Sequence, residues 1–400
     1  MREVYLCDGI RTPIGRFGGG LASVRADDLA ALPLRELMRR NRSVQWDQLD
    51  EVCLGCANQA GEDNRNVARM ASLLAGLPES VPAVTVNRLC ASGLEAIGYA
   101  FRMIATGEAD LVLAGGVESM TRAPLVMGKS DQAYSRAQQV QDTTIGWRFI
   151  NPAFKAEFGV HSMPETADNV ARQFMVSRAD QDAFALRSQQ RAARADAEGF
   201  FARETMAVTV ADGKKNVLFA RDEHPRPRTT IDSLAALAPL NGPEGTVTAG
   251  NAAGLNDGAC AVILASEDAL GTHGLQPRAR VLGMASAGVE PRIMGIGPVH
   301  AVSRLLGRLK MDISDFDLLE INEAFSAQVL VCLRGMGLPD DCPWVNPNGG
   351  AIALGHPLGM SGARLALTAA HTLQQTNGKY ALATLCVGVG QGLALALERV

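Results

Sequence analysis

Three short apolar runs with one helical stretch among them constrain this chain more than any other feature. Leu49 to Cys56, Val81 to Asn87 and Asp110 to Gly115 are rich in Val and Leu and end in Gly or polar residues. Runs of this length without alternation read as strands buried on both faces. Between the second and third, Leu94, Ile97, Phe101 and Ile104 recur at helical spacing. A strand, helix, strand unit implies a parallel sheet with the helix packed on it, which is α/β architecture. At 400 residues the chain exceeds what one hydrophobic core usually supports, so two or more packed units are expected.

The C-terminal part follows the same order. Phe316 to Ile321 reads as strand, Glu323 to Arg334 and Leu358 to Gln374 as helices, and Tyr380 to Val387 and Leu393 to Val400 as strands joined through glycines. Val86-Asn87 precedes a turn, a Ser92-Gly93 pair and a helix; Val345-Asn346 precedes a longer Gly-rich turn, a Ser361-Gly362 pair and a helix. This likeness points to an internal duplication, though short matches of small residues also arise by chance. Between roughly Thr121 and Glu244 the composition turns polar, Met-bearing and charged, with Ser177 and Asp180 capping a helix over Gln181 to Ala197. Long irregular stretches inside a compact protein usually cover a functional site. Arg221, Arg226 and Arg228 are the local concentration of positive charge within it.

A hydrophobic share of 47% with 20% charged residues fits a globular chain with a sizeable core. The net charge of −4 provides no basic field for nucleic acid or anionic lipid, so neither partner is expected and an anionic ligand must be met locally. Asp8 interrupts the N-terminus too early for the apolar core of a signal peptide, and no apolar run is long enough to span a bilayer. The eight cysteines are thinly spread, which fits reduced thiols in a cytoplasmic protein rather than a disulfide framework. Cys53 and Cys56 form a CxxC with no second pair, so they read as core thiols and no metal is expected.

Three segments carry chemistry. Cys90, in Asn87-Arg88-Leu89-Cys90-Ala91-Ser92-Gly93, sits where a strand gives way to a helix. A thiol at a helix N-terminus faces the positive end of the macrodipole and unpaired N–H groups, which lower its pKa and favour the nucleophilic thiolate. A small buried core residue is the commoner fate of cysteine, but the small residues after Cys90 leave room for a substrate. His356 lies in a long turn from Asn346 to Pro357 shaped by glycine and proline. A loop histidine is usually solvent-exposed; framed by this much fixed backbone it reads as a base for a thiol or a donor to an oxyanion. Cys386 ends a buried strand and hands over to Gly388-Val389-Gly390-Gln391-Gly392, a tight turn with approachable N–H groups. No long helix follows, so the Gly-x-Gly-x-Gly spacing is not a dinucleotide fingerprint.

These segments, with Glu320-Ile321-Asn322-Glu323-Ala324-Phe325, Gly245 to Ala259, Asp8 to Gly15 and Gly115 to Met120, resemble the thiolase family along the whole chain. Gly61 to Asn66 and Asp142 to Phe149 narrow the likeness to members that act on 3-oxoadipyl-CoA in aromatic-compound degradation. The resemblance implies two similar halves in a layered αβαβα core, the N-terminal one formed by 1–121 plus 245–272 and the C-terminal one by 273–400. Residues 122–244 would form an inserted loop domain over the coenzyme A site. It implies an acyltransferase that splits 3-oxoadipyl-CoA with CoA into succinyl-CoA and acetyl-CoA, with CoA as co-substrate and no permanent cofactor. Family members are dimers or tetramers, so a homo-oligomer is expected.

By the same resemblance Cys90 is the nucleophile, His356 activates it and Cys386 is the acid/base for the acetyl carbanion. One oxyanion hole falls to His356 with a water held by Asn322, the other to the N–H groups of Cys90 and Gly388. From the residues alone, Asn322 reads equally as a helix cap before Glu323. Met163 and Met294 are implied along the pantetheine channel and Arg226 near the nucleotide phosphates, where core filling and a solvated charge are the ordinary roles of such residues. Ala253 stands where many thiolases have serine, removing a hydroxyl from the pantetheine arm. Arg148, beside Trp147, reads as a partner for the free carboxylate of a 3-oxoadipyl group or as a structural arginine of the insertion. An acetyl-CoA acetyltransferase or general 3-ketoacyl-CoA thiolase would share every catalytic residue, while a non-catalytic acyl-CoA-binding relative would be expected to lose one of Cys90, His356 or Cys386.

Overall fold

The computed structural model describes residues 2–213 and 215–400. Nine strands and eight helices carry the architecture. The strands are β1 (Val4–Arg11), β2 (Glu51–Gly55), β3 (Ala83–Val86), β4 (Leu111–Ser119), β5 (Asn256–Ser266), β6 (Ala279–Gly288), β7 (Leu318–Ile321), β8 (Tyr380–Val387) and β9 (Gln391–Arg399). The helices are α1 (Ala26–Arg40), α2 (Val67–Ala75), α3 (Ser92–Thr106), α4 (Met163–Gln173), α5 (Arg178–Ala197), α6 (Gly297–Leu309), α7 (Ser326–Gly335) and α8 (Leu358–Thr376). Among the described residues no helix is long and apolar enough to cross a membrane.

The strands form two half-sheets in the order β3-β2-β4-β5-β1 and β6-β9-β8-β7. They meet where β1 and β6 pair at only two positions, Tyr5 with Arg280 and Leu6 with Ala279. Each half has the same plan. From the junction outward the first pairings are antiparallel (β1 with β5 and β5 with β4; β6 with β9 and β9 with β8). The next are parallel, β4 with β2 and β8 with β7. The outermost position is also parallel in both, filled by β3 in one half and by a single bridge from Leu319 to Val345 in the other. The Val86-Asn87 and Val345-Asn346 segments thus occupy matching edges.

Helices α3 and α8 lie between the half-sheets, and α8 touches strands of both. Their apolar faces, including Leu94, Ile97, Leu367 and Leu373, make a central core with β4, β5 and β8. α1 and α2 cover the outer face of the first half-sheet, and α6 and α7 cover that of the second. Five layers result, helix–sheet–helix–sheet–helix.

Four expectations are corrected. The sheet is mixed, parallel only toward its outer strands. β3 is half-buried at every residue, because it is an edge strand, whereas β4 is buried along its whole length. The helix expected from Glu323 begins at Ser326; the backbone of Asn322 to Phe325 is held in a loop by Asn322 N to Thr384 O and Ala253 N to Ala324 O, both 2.9 Å. Residues 122–244 are more regular than expected, holding α4, α5 and two short hairpins, Leu125–Met127 with Val140–Asp142 and Val208–Asp212 with Lys215–Phe219. Ser177 caps α5 as expected, accepting from Asp180 N.

α3 and α8 begin in backbone contact. A Cβ on Gly93 would lie 2.5 Å from Gly359 O, and one on Gly359 would lie 2.7 Å from Gly55 O. No side chain fits there. Gly359→Ala should therefore lower stability by roughly 1–3 kcal/mol by overpacking. Gly307→Ala, in α6 with nothing near its Cβ, should raise it by about 0.5–1 kcal/mol; chemical denaturation of both variants checks the contrast.

Candidate active site

Cys90 lies in a single 3₁₀ turn, Leu89–Ala91, that leads directly into α3. Leu89 has φ +47°, an uncommon value for a bulky side chain, and side chains clamp it. Asn87 Oδ1 accepts from Leu89 N at 2.8 Å, and Ser92 Oγ accepts from Arg88 N at 2.9 Å while donating to Leu89 O at 2.7 Å. Arg88 donates to Glu95 and, at 2.8 Å, to Gln391 Oε1, so the Cys90 turn is tied to the turn after Cys386. That second turn is also strained, with Val389 at φ +63°. Such residues persist where the surroundings over-determine them, and they gather at active sites.

The electrostatics differ from the helix-terminus expectation. Burial is the largest effect on Cys90 and pushes its thiol up to about 11, against the pull of a donating Gly388 N–H and with Glu118 adding to the rise. Cys386 is raised well above the ordinary thiol range by burial and then by the neighbouring Cys90. Both rest as neutral thiols at neutral pH. The N–H groups of Gly388 and Cys90 do not offset the lost hydration of a thiolate.

His356 is buried, not a solvent-facing loop residue. Its backbone N–H donates to Asn256 Oδ1 at 2.9 Å, and its Nδ1 lies 2.6 Å from Ser361 Oγ. The Ser361 hydroxyl already donates to Pro357 O at 2.7 Å, so its oxygen accepts from Nδ1–H and Nε2 keeps its lone pair. Nε2 faces Asn322 Nδ2 at 3.3 Å. Burial and then the Arg364 charge lower His356 to about 3, so the imidazole is neutral. Asn322 is buried in the loop before α7, whose N-cap is Phe325, so the capping role does not hold. Asn322 Oδ1 has no partner among the described residues.

Cys90 opens into a cavity of about 360 Å³ whose walls include Asn58, Trp147, Arg148, Met163, Gly388 and Val389. Met163 also packs on Cys386. Met294 does not reach this cavity; it is 3% exposed and filled into the same small cluster. Arg226 is exposed and stands with Arg228, His224 and Ser233 around a second cavity of about 520 Å³, near Ala249 and Gly250. Ala253 is half-buried and lines neither.

Residues with no role in the sequence reading complete the site. The buried Glu118 carboxylate accepts from the N–H groups of Ala57, Asn58 and Gly359 at 2.8–3.0 Å. Ser361 sets the His356 tautomer. Arg364, paired with Glu320 at 3.3 Å, brings a buried charge near His356. The available signals were a lone acid closing the apolar strand β4 and a lone cation inside the apolar helix α8.

Residues 4–268 match the thiolase N-terminal domain and residues 275–399 the thiolase C-terminal domain. The chain belongs to the thiolase family and is an acyltransferase. It is 68% identical over 400 residues to a β-ketoadipyl-CoA thiolase of Pseudomonas putida, with 100% of both chains covered. It is 61% identical over 402 residues to the 3-oxoadipyl-CoA/3-oxo-5,6-dehydrosuberyl-CoA thiolase of Escherichia coli K12, again with 100% of both covered. The crystal structure of the Bacillus anthracis acetyl-CoA acetyltransferase superposes with a TM-score of 0.93 at 38% identity, covering 100% of this chain and 99% of that one.

The raised thiol predicts how free Cys90 reacts. Its alkylation by iodoacetamide, followed by peptide mapping, should accelerate about tenfold per pH unit from pH 7 to pH 10 without a plateau. A plateau below pH 8 would mean a thiolate at rest.

Proposed function

We propose that the protein cleaves 3-oxoadipyl-CoA with CoA to succinyl-CoA and acetyl-CoA through a succinyl thioester on Cys90. The full-length likeness to β-ketoadipyl-CoA thiolases carries the substrate, and the chemistry is supported by the grouping of Cys90, Gly388 and Cys386 and by the meeting of the helix that follows Cys90 with the one that follows His356, itself paired with Asn322. The repeated strand plan supports a division into 1–121 with 245–272, an inserted 122–244 and 273–400.

Neutral thiol and neutral imidazole define the order of events. As Cys90 Sγ attacks the 3-keto carbon its proton passes to Nε2 of His356, whose lone pair Ser361 leaves free. The same nitrogen, now protonated, with a water held by Asn322, donates to the thioester oxygen of the acetyl unit, which takes up the enolate charge. The bond between the second and third carbons breaks, and Cys386 gives its proton to the acetyl-CoA carbanion. The N–H groups of Cys90 and Gly388, both directed at Sγ, donate to the oxyanion on the carbon bonded to that sulfur, each donor worth about 3–4 kcal/mol in such a site. After acetyl-CoA leaves, CoA enters, its thiol proton returns to Cys386, its sulfur takes the succinyl group, and Cys90 leaves as a thiolate that recovers its proton from His356. Arg226, with Arg228 beside it, fits the nucleotide phosphates of CoA, and Met163 fits the pantetheine arm.

Purified protein given 3-oxoadipyl-CoA and CoA should release succinyl-CoA and acetyl-CoA, read by mass spectrometry, with kcat/KM above that for acetoacetyl-CoA run in parallel. Cys90→Ser should lose at least about a thousandfold in kcat. Preferred cleavage of acetoacetyl-CoA would leave the chemistry standing and discard the substrate.

A further inference from the structure

Among the described residues Arg148 is the one cation on the wall of the Cys90 cavity, and the backbone around it is held in place. Residues 143–150 follow a short hairpin, and their path is fixed at each end. Thr143 is 1% exposed; its hydroxyl donates to Pro124 O at 2.6 Å, and it accepts two bonds from Asn58 Nδ2, both 3.1 Å. At the other end Phe149 N donates to Gln141 Oε1 at 2.7 Å. Between them Gly146 at φ +89° and Phe149 at φ +49° bracket Trp147 and Arg148. Trp147 is locked by Nε1–H to His161 O at 3.1 Å and by the Phe154 ring at 5.2 Å.

An arginine held this firmly normally serves a carboxylate, yet none is supplied. Glu62 is taken by Arg25 and Arg122. Asp63 acts on Arg148 through space without an ion pair, and burial raises its own pKa, so it is a weakened competitor. The remaining cavity wall is largely apolar, from Ala57, Leu89, Ile145, Met163 and Leu358. A half-buried guanidinium without an ion-pair partner, on a largely apolar wall, offers a planar fork of donors suited to a carboxylate.

We infer that Arg148 is the receptor for the terminal carboxylate of the acyl group, making it the residue that selects dicarboxylic over plain 3-oxoacyl substrates. This rests on the cleavage proposed above and adds the residue that sets its selectivity. The reacting carbonyl at Cys90 and the carboxylate are joined by a short methylene spacer, so both ends must lie in one cavity. Asn58 sits on the same wall, and its backbone N–H is already held by Glu118 at 3.0 Å, which couples the subsite to the start of α8. The assignment also states what the apolar wall does: it takes the spacer and excludes water around the ion pair.

The test compares two substrates of equal chain length, 3-oxoadipyl-CoA and 3-oxohexanoyl-CoA, which differ by the carboxylate. The ratio of their kcat/KM values should fall about 10- to 100-fold in Arg148→Ala, mostly through KM, and be partly kept in Arg148→Lys. A loop-supporting role for Arg148 would lower both values together and leave the ratio where it was, which overturns the assignment. A native enzyme that shows no preference for 3-oxoadipyl-CoA would instead overturn the substrate reading, and the subsite with it.

Discussion

The contact on which the site depends is the meeting of two helix starts with nothing between them but backbone. α3 and α8 come from different halves of the chain, and at Gly93 and Gly359 they approach too closely for any side chain. Glu118 joins the same point from below, one buried carboxylate holding the N–H groups of Ala57, Asn58 and Gly359. Burial pushes its pKa up to about 7 while those three N–H groups pull it down, so the anchor is a balance between desolvation and hydrogen bonding. Because Cys90 lies three residues before Gly93 and His356 three before Gly359, this contact brings the two halves' reactive groups to one place.

The burial that makes the contact possible also dictates the resting chemistry. Protein surroundings hold Cys90 and Cys386 as thiols and His356 as neutral imidazole. None of these three reacting groups carries a charge until a carbonyl arrives, when the developing oxyanion and the protonated His356 meet N–H groups already in place. A preorganised dipolar site is stabilising only for that charged arrangement. Behind them Arg364, whose charge acts on His356, meets Glu320, whose carboxyl burial raises to about 8.

Much of this was legible because the relevant patterns are local. The apolar runs of β2, β4 and β8, the 3.6-residue period of α3 and the length of α8 follow from residues adjacent in sequence. Cys90, His356 and Cys386 announced themselves through the small residues around them. What could not be read depends on partners far along the chain. β3 looks like a core strand until its place at the sheet edge is known. Asn322 precedes an acidic residue as a helix cap would, yet the Thr384 and Ala253 backbones hold that stretch open. The depressed thiol expected at a helix start ignored the desolvation that only the packed halves impose. Ser361 and Arg364 have meaning only once α8 is seen against His356. Met294, expected along a channel, fills core instead.

The central claim is that a single thiol, that of the half-buried Cys90, carries the acyl group between two CoA molecules. Acid-quenching the protein after brief exposure to 3-oxoadipyl-CoA without free CoA, and then mapping the peptides by mass spectrometry, tests it directly. The account predicts a succinyl group on the peptide containing Cys90, released when CoA is added before the quench. A succinyl group on Cys386, or release of acetyl-CoA with no acylated peptide, would contradict it.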